Sequence, residues 1–212
     1  GFELETAGVL KEGRKLWGLA RTGQTMALAS NDITHGYVLL ATACDGTMAT
    51  TAQFTSVRVV CNNTLAIALN KGEQAIKVRH STDFDASKVK HQLGIAASGW
   101  DDFMYRMKTL SHRKIKPKEA LQFMDAVLNN HAVSPDVNSK AFERNKALVL
   151  SLYDGQGRGS ELSSANGTAF GLLNAVTEYV DQSRRARSND NRLDSAWFGQ
   201  GANIKQNAFS EA

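Results

Sequence analysis

Apolar and polar residues alternate with a period of two through the first third of the chain, then recur at steps of three and four. Phe2, Leu4 and Thr6 alternate with polar neighbours, Lys11-Glu12-Gly13-Arg14 reads as a turn, and Lys15–Arg21 reads as the returning strand. Residues 1–29 are therefore expected to form a β-hairpin. Residues 35–43 hold the continuous apolar run Tyr37–Ala41 and stop at Asp45-Gly46, a second turn signal. Residues 49–54 and 56–61 predict a further strand or pair, with Val57, Val59 and Cys61 alternating with Arg58 and Val60. Asn62-Asn63-Thr64 supplies N-cap oxygens and predicts a short helix over Leu65–Asn70. Residues 74–80 predict one more strand, in which Lys77 and Arg79 share a face with Ala75.

The rest reads as helix. Val89, Leu93, Ala96, Trp100, Phe103 and Met107 predict one helix over residues 85–110. Pro117 stands where a helix opens, ahead of Leu121, Met124 and Val127. Further helices are expected over residues 141–152, 168–183 and 194–212, with a Gly/Ser-rich loop at 154–166. Strands first and helices after predict an α+β fold, a mainly antiparallel N-terminal sheet followed by a helical C-terminal half. The chain is expected to be one domain, sheet-rich over 1–82 and helix-rich over 83–212. Gly1 already stands in a strand pattern, so the sequence reads as a piece whose natural N-terminus lies upstream.

Charge changes this picture by its placement. The net charge is only +4. Between residues 106 and 118, however, stand Arg106, Lys108, His112, Arg113, Lys114, Lys116 and Lys118 with no carboxylate. A second cluster, Arg184, Arg185, Arg187 and Arg192, is offset by Asp190 alone. Arg58 with Lys77 and Arg79 would add a basic row on the strands. Such groups suit a phosphate backbone, and they equally suit a solvated helix end. The candidate nucleic-acid contacts are thus Arg58, Lys77, Arg79, Arg106, Lys108, Arg113, Lys114, Lys116, Arg184, Arg185 and Arg187, with Trp17, Tyr37 and Phe54 as possible stacking rings.

Catalytic signals are sparse. The run Gly155-Gln156-Gly157-Arg158-Gly159 lacks both the dinucleotide-binding spacing and the Lys-Ser/Thr of a P-loop, so it reads as a flexible loop. The five histidines are scattered without metal-ligand spacing, and neither Ser56 nor Ser81 lies in a nucleophile elbow. Asn174, Glu178 and Asp181 fall on one helical face. They read as a divalent-ion site, as a polar stripe, or as partners of Arg184 and Arg185. No cofactor is expected. Cys44 and Cys61 lie in apolar runs and read as buried free thiols. No signal peptide and no membrane-length apolar run is present, which points to the cytoplasm of a bacterial host cell and to no membrane partner.

Several stretches together resemble a known family. They are Phe2-Glu3-Leu4-Glu5-Thr6-Ala7-Gly8 with Lys15–Arg21, Ser56–Leu69, Val78-Arg79-His80-Ser81, and Asn174–Asp181 with Phe198-Gly199-Gln200-Gly201. Over essentially the whole length the chain resembles the phage/plasmid-like proteins of unassigned function, a domain-of-unknown-function family of mobile elements. That resemblance implies a phage or plasmid setting. The hairpins followed by helices are also similar to ring-forming single-strand-annealing recombinases. This likeness implies a homo-oligomer in which Arg58, Lys77 and Arg79 line a groove for single-stranded DNA. The leading expectation is a non-catalytic protein that binds single-stranded DNA in recombination or replication. A non-enzymatic inhibitor of a host defence system and a metal-dependent enzyme using Glu178 and Asp181 are the alternatives.

Overall fold

Six strands open the chain in the computed structural model, which describes residues 2–67, 75–83, 85–129 and 140–212, the side chains of residues 95–97 set aside. They are β1 (Glu3–Leu10), β2 (Lys15–Ala29), β3 (Asp32–Ala43), β4 (Thr50–Arg58), β5 (Asn63–Ala66) and β6 (Ile76–Val78). The sheet order is β1-β2-β3-β4-β5, and β6 pairs antiparallel with β4. The first hairpin is the expected one. It is antiparallel from Glu3 opposite Arg21 to Leu10 opposite Lys15, with a bulge between Leu4 and Thr6.

Seven helices follow among the described residues: α1 (Ala86–Ser98), α2 (Trp100–His112), α3 (Pro117–Asn129), α4 (Lys140–Ser151), α5 (Ala169–Glu178), α6 (Asn189–Phe198) and α7 (Gln200–Glu211). The architecture is α+β, an antiparallel sheet and then helices. None of the helices is long and apolar enough to cross a membrane.

Local chemistry sets the helix ends. Asp85 accepts the Lys88 N–H at the start of α1. Glu119 accepts the Lys116 N–H where Pro117 opens α3, and the Thr168 hydroxyl accepts the Gly171 N–H at the start of α5. The helix expected over 85–110 is two helices, because the chain breaks at Gly99 and α2 restarts with Asp101 and Asp102 in its first turn, where the helix dipole favours acids. The helix expected over 65–70 is instead strand β5 in its described part, and residues 68–70 lie outside the described residues. Asn62 has φ of 55°, so it closes a turn after β4 rather than capping a helix.

The chain packs as two compact units. The first comprises Gly1–Met26, Thr34–Val57 and Ala66–Tyr105. Its core holds Tyr37, Val38 and Leu39 of β3, Phe54 of β4 and Trp100 and Phe103 of α2, all buried. The Phe54 and Trp100 rings meet edge to face at 6.1 Å.

The second unit comprises Ala27–Ile33, Arg58–Leu65 and Arg106–Ala212. Its axis is α5, where Asn174 is the one residue not buried. A helix apolar on all sides needs neighbours on all sides. Helices α4 and α7 pack against it, α3 packs against α4 and α7, and α6 packs against α7. Gly171 lets the loop before α5 fold back onto the helix, since a Cβ there would lie 1.9 Å from the Ala165 carbonyl oxygen.

Candidate nucleic-acid interface and buried ion pairs

The basic run of the second unit is locally well defined. Arg113–Ile115 lies beside Gly167–Ala169 as a short antiparallel bridge. The Ala169 N–H donates to the Arg113 carbonyl at 2.9 Å, and the Ile115 N–H donates to the Gly167 carbonyl at 3.0 Å. Ile115 is half-buried, while Lys114 and Lys116 on either side are exposed. Lys108, Arg113 and Lys118 are exposed as well. Two of these cations have local partners. Lys114 donates to the Asn166 carbonyl at 3.1 Å, and Arg113 donates to the Ala212 carbonyl at 2.7 Å. A cavity of about 380 Å³ adjoins Arg113, with Ile115, Phe123 and Leu172 among its apolar lining. Glu119 and Glu211 offset Arg113 there, so the cavity itself is not an anion site.

Other predicted contacts separate by burial. Lys77 and Arg79 are exposed in the first unit, and Arg185 and Arg187 are exposed in the second. Arg106 lies 4.1 Å from the centre of the Phe209 ring and donates to the Phe209 carbonyl, so it anchors α7. Arg184 donates to Ser195 Oγ at 3.0 Å and to Gln200 Oε1, tying the segment before α6 to α7. These two arginines are structural. Of the possible stacking rings, Tyr37 and Phe54 are core residues, and Trp17 is half-buried beside Gly8. An exposed ring that sequence reasoning missed is Tyr105, 75% exposed on α2.

Arg58 requires the largest correction. It is 4% exposed and belongs to no basic row. Its Nε and Nη2 each donate to one oxygen of Asp32 at 2.7 Å, and Nη2 also donates to the Gly159 carbonyl at 3.1 Å. Ser164 Oγ donates to the same Asp32 carboxylate. The guanidinium stands 5.1 Å from the centre of the Phe170 ring. Burial disfavours the arginine charge, and the Asp32 carboxylate more than restores it.

A second buried pair lies in the same unit. Lys205 Nζ donates to Asp181 Oδ1 at 2.7 Å and to Thr64 Oγ1 at 2.9 Å. The other oxygen of Asp181 accepts the Thr64 N–H at 2.7 Å and its hydroxyl at 3.1 Å. Asp181 sits on a π-helical turn, Tyr179–Ser183, that extends α5. Such a turn places a side chain off the regular helical face.

The metal reading fails on these contacts. Asp181 serves Lys205 and Thr64, Glu178 accepts the Arg158 N–H at 3.0 Å, and the Asn174 amide donates to the Phe170 carbonyl at 2.8 Å. Among the described residues no group of three or more His, Cys, Asp or Glu could hold a metal ion.

The glycine run is a packed turn. It overlaps a second π-helical turn, Leu152–Gln156, in which Gly155 has φ of 121°, open to glycine alone. A Cβ on Gly157 would lie 2.6 Å from the Leu152 carbonyl oxygen and 3.1 Å from Glu178 Oε2.

That close approach leaves Glu178 7% exposed, accepting the Arg158 backbone N–H. Burial pushes its carboxyl above the usual range, against the opposing pull of the Arg158 N–H and of the Arg158 and Arg58 charges. A raised folded-state pKa gives stability that is present below the ordinary carboxylate pKa and is lost as pH rises through the folded value. Glu178→Gln is therefore expected to gain on the wild type as pH rises from the acid range to neutrality. Urea midpoints compared at several pH values would show a difference that widens with pH. A constant difference would contradict the assignment.

Both cysteines are free, as expected, but only Cys61 is buried. Cys44 is exposed just past the end of β3.

The family model described as a domain of unknown function (DUF932) matches residues 1–197. No curated protein and no solved structure matches the chain.

Proposed function

The chain belongs to the DUF932 family of domains of unknown function, and on that premise we propose that it binds nucleic acid, single-stranded DNA above all. The observation that carries this reading is the run from Lys108 to Lys118. It presents Lys108, Arg113, Lys114, Lys116 and Lys118 exposed with no carboxylate among them, on a backbone fixed by the bridge to Gly167–Ala169. Cations held in this way neutralise phosphates and release counterions, without reading base sequence. Arg185 and Arg187 extend the supply of exposed positive charge in the same unit. The process served is recombination or replication of phage or plasmid DNA, with the protein acting as a binder rather than a catalyst.

Fluorescence anisotropy with labelled single-stranded and duplex DNA over a salt series tests this. Affinity is expected to fall steeply with salt. The triple variant Lys108→Glu, Lys116→Glu, Lys118→Glu is expected to bind at least about ten-fold more weakly, with a shallower salt slope by roughly two. No binding to either DNA at low salt, or an unchanged slope in the variant, would sink the proposal.

A further inference from the structure

Strand β1 is eight residues long and stands at one end of the sheet order, paired with β2. Among the described residues no strand pairs with its other side, which offers a row of backbone N–H and C=O groups to an incoming strand. Natural edge strands are commonly protected by proline, lysine or bulges. β1 contains neither proline nor lysine, and its one bulge, between Leu4 and Thr6, leaves Thr6–Leu10 regular.

The two faces of this hairpin differ. The register places Leu4 opposite Ala20, Ala7 opposite Gly18 and Val9 opposite Leu16. Paired residues share a face, so one face carries Leu4, Val9 and Leu16, which are 64%, 55% and 45% exposed. On the opposite face Gly8 lies beneath the Trp17 indole and Leu10 is buried.

The hairpin is also charge-polarised. Glu3 and Glu5 lie at the start of β1, with Arg21 across from Glu3. Lys11, Arg14 and Lys15 gather at the turn against the single acid Glu12. A second β1 arriving parallel would set like ends together, whereas an antiparallel one sets acid against base.

We propose that β1 is the docking edge for a second copy of this chain, paired antiparallel with Gly8 on the two-fold axis. In that register Ala7 faces the partner subunit's Val9 and Thr6 faces the partner subunit's Leu10, and the acidic start of each β1 lies toward the basic turn of the other copy. The exposed Val9 of each copy then gains the partner subunit's Ala7 as a cross-strand neighbour on one continuous sheet. A two-fold interface of this kind closes on itself and leaves no free β1 edge to propagate.

Mass photometry and light scattering of the 212-residue chain, from nanomolar to tens of micromolar, are expected to show a dimer. The variant Ala7→Lys, Val9→Lys, which sets like charges directly opposite one another across the axis, is expected to shift the population to monomer while keeping the wild-type circular dichroism. Spin labels in a Cys44→Ser background fix the register. Labels at Val9 are expected in close pairs, and labels at Leu4 about 27 Å apart, eight residues of strand rise. A monomer at every concentration overturns the proposal. So does a dimer that persists in the lysine variant, or close pairs at Leu4.

Discussion

Replacing Arg58 with alanine is expected to lower the unfolding free energy by about 3–5 kcal/mol, the range for breaking a buried ion pair by deleting one partner. The loss comes from what remains. Asp32 is 0% exposed, and without Arg58 its carboxylate would keep Ser164 as its side-chain donor. The Gly159 carbonyl loses its donor and Phe170 loses the cation near its ring. Arg58→Lys restores the charge but not the two-pronged contact, so it is expected to recover only part of the stability. Asp32→Asn together with Arg58→Met removes both charges and is expected to be closer to wild type than Arg58→Ala alone. Urea unfolding of the four proteins would check the ranking. An Arg58→Ala protein within error of wild type would remove Arg58 from the account of what holds the second unit together.

The second large effect is expected at Lys205. Lys205→Ala leaves Asp181 buried with the two groups of Thr64 and no counter-charge, at a cost of about 3 kcal/mol or more. Asp181→Ala strands the buried ammonium of Lys205 and should cost a similar amount. The double variant is expected to cost less than the sum of the two, with a coupling of up to about 3 kcal/mol. A local readout accompanies the global one. The Thr64 N–H donates to Asp181, so its hydrogen exchange should accelerate in Asp181→Ala more than that of other protected amides. Additive losses with no change at Thr64 would show that the three groups do not act together.

The elements that the sequence reveals are those whose signal is local. The first hairpin shows its alternation and its turn, and the basic run from Lys108 to Lys118 needs no distant partner to be recognised. Arg58 is opaque for the opposite reason. Its alternation with Val57 and Val59 suggests a solvated face, but β4 is buried along most of its length and period-two patterning assigns no wet side there. Its partner Asp32 is 26 residues away, and nothing near Arg58 announces it. Asn62-Asn63-Thr64 fits a cap equally well as a turn, and the choice was made by the long-range bond from Thr64 to Asp181. The glycine run looks mobile by composition, yet a neighbouring carbonyl and Glu178 leave no room at Gly157 for a side chain. In each case the deciding contact spans a sequence distance that local patterning does not sample.

The second unit draws on three separated stretches of chain, and this has a consequence for the order of events during synthesis. Asp32 and Ser164 are 132 residues apart. At ribosomal rates of about 5–20 residues per second, that separation corresponds to roughly 7–26 seconds between making the carboxylate and making the hydroxyl that donates to it. Thr64 waits slightly longer for Lys205, 141 residues downstream. The nascent chain therefore carries Asp32, Arg58 and Thr64 without their final surroundings for most of its elongation. The first unit, complete by Tyr105, has its sequence in hand long before. A pause or premature stop before Lys205 would leave Asp181 and Thr64 without the ammonium that donates to both.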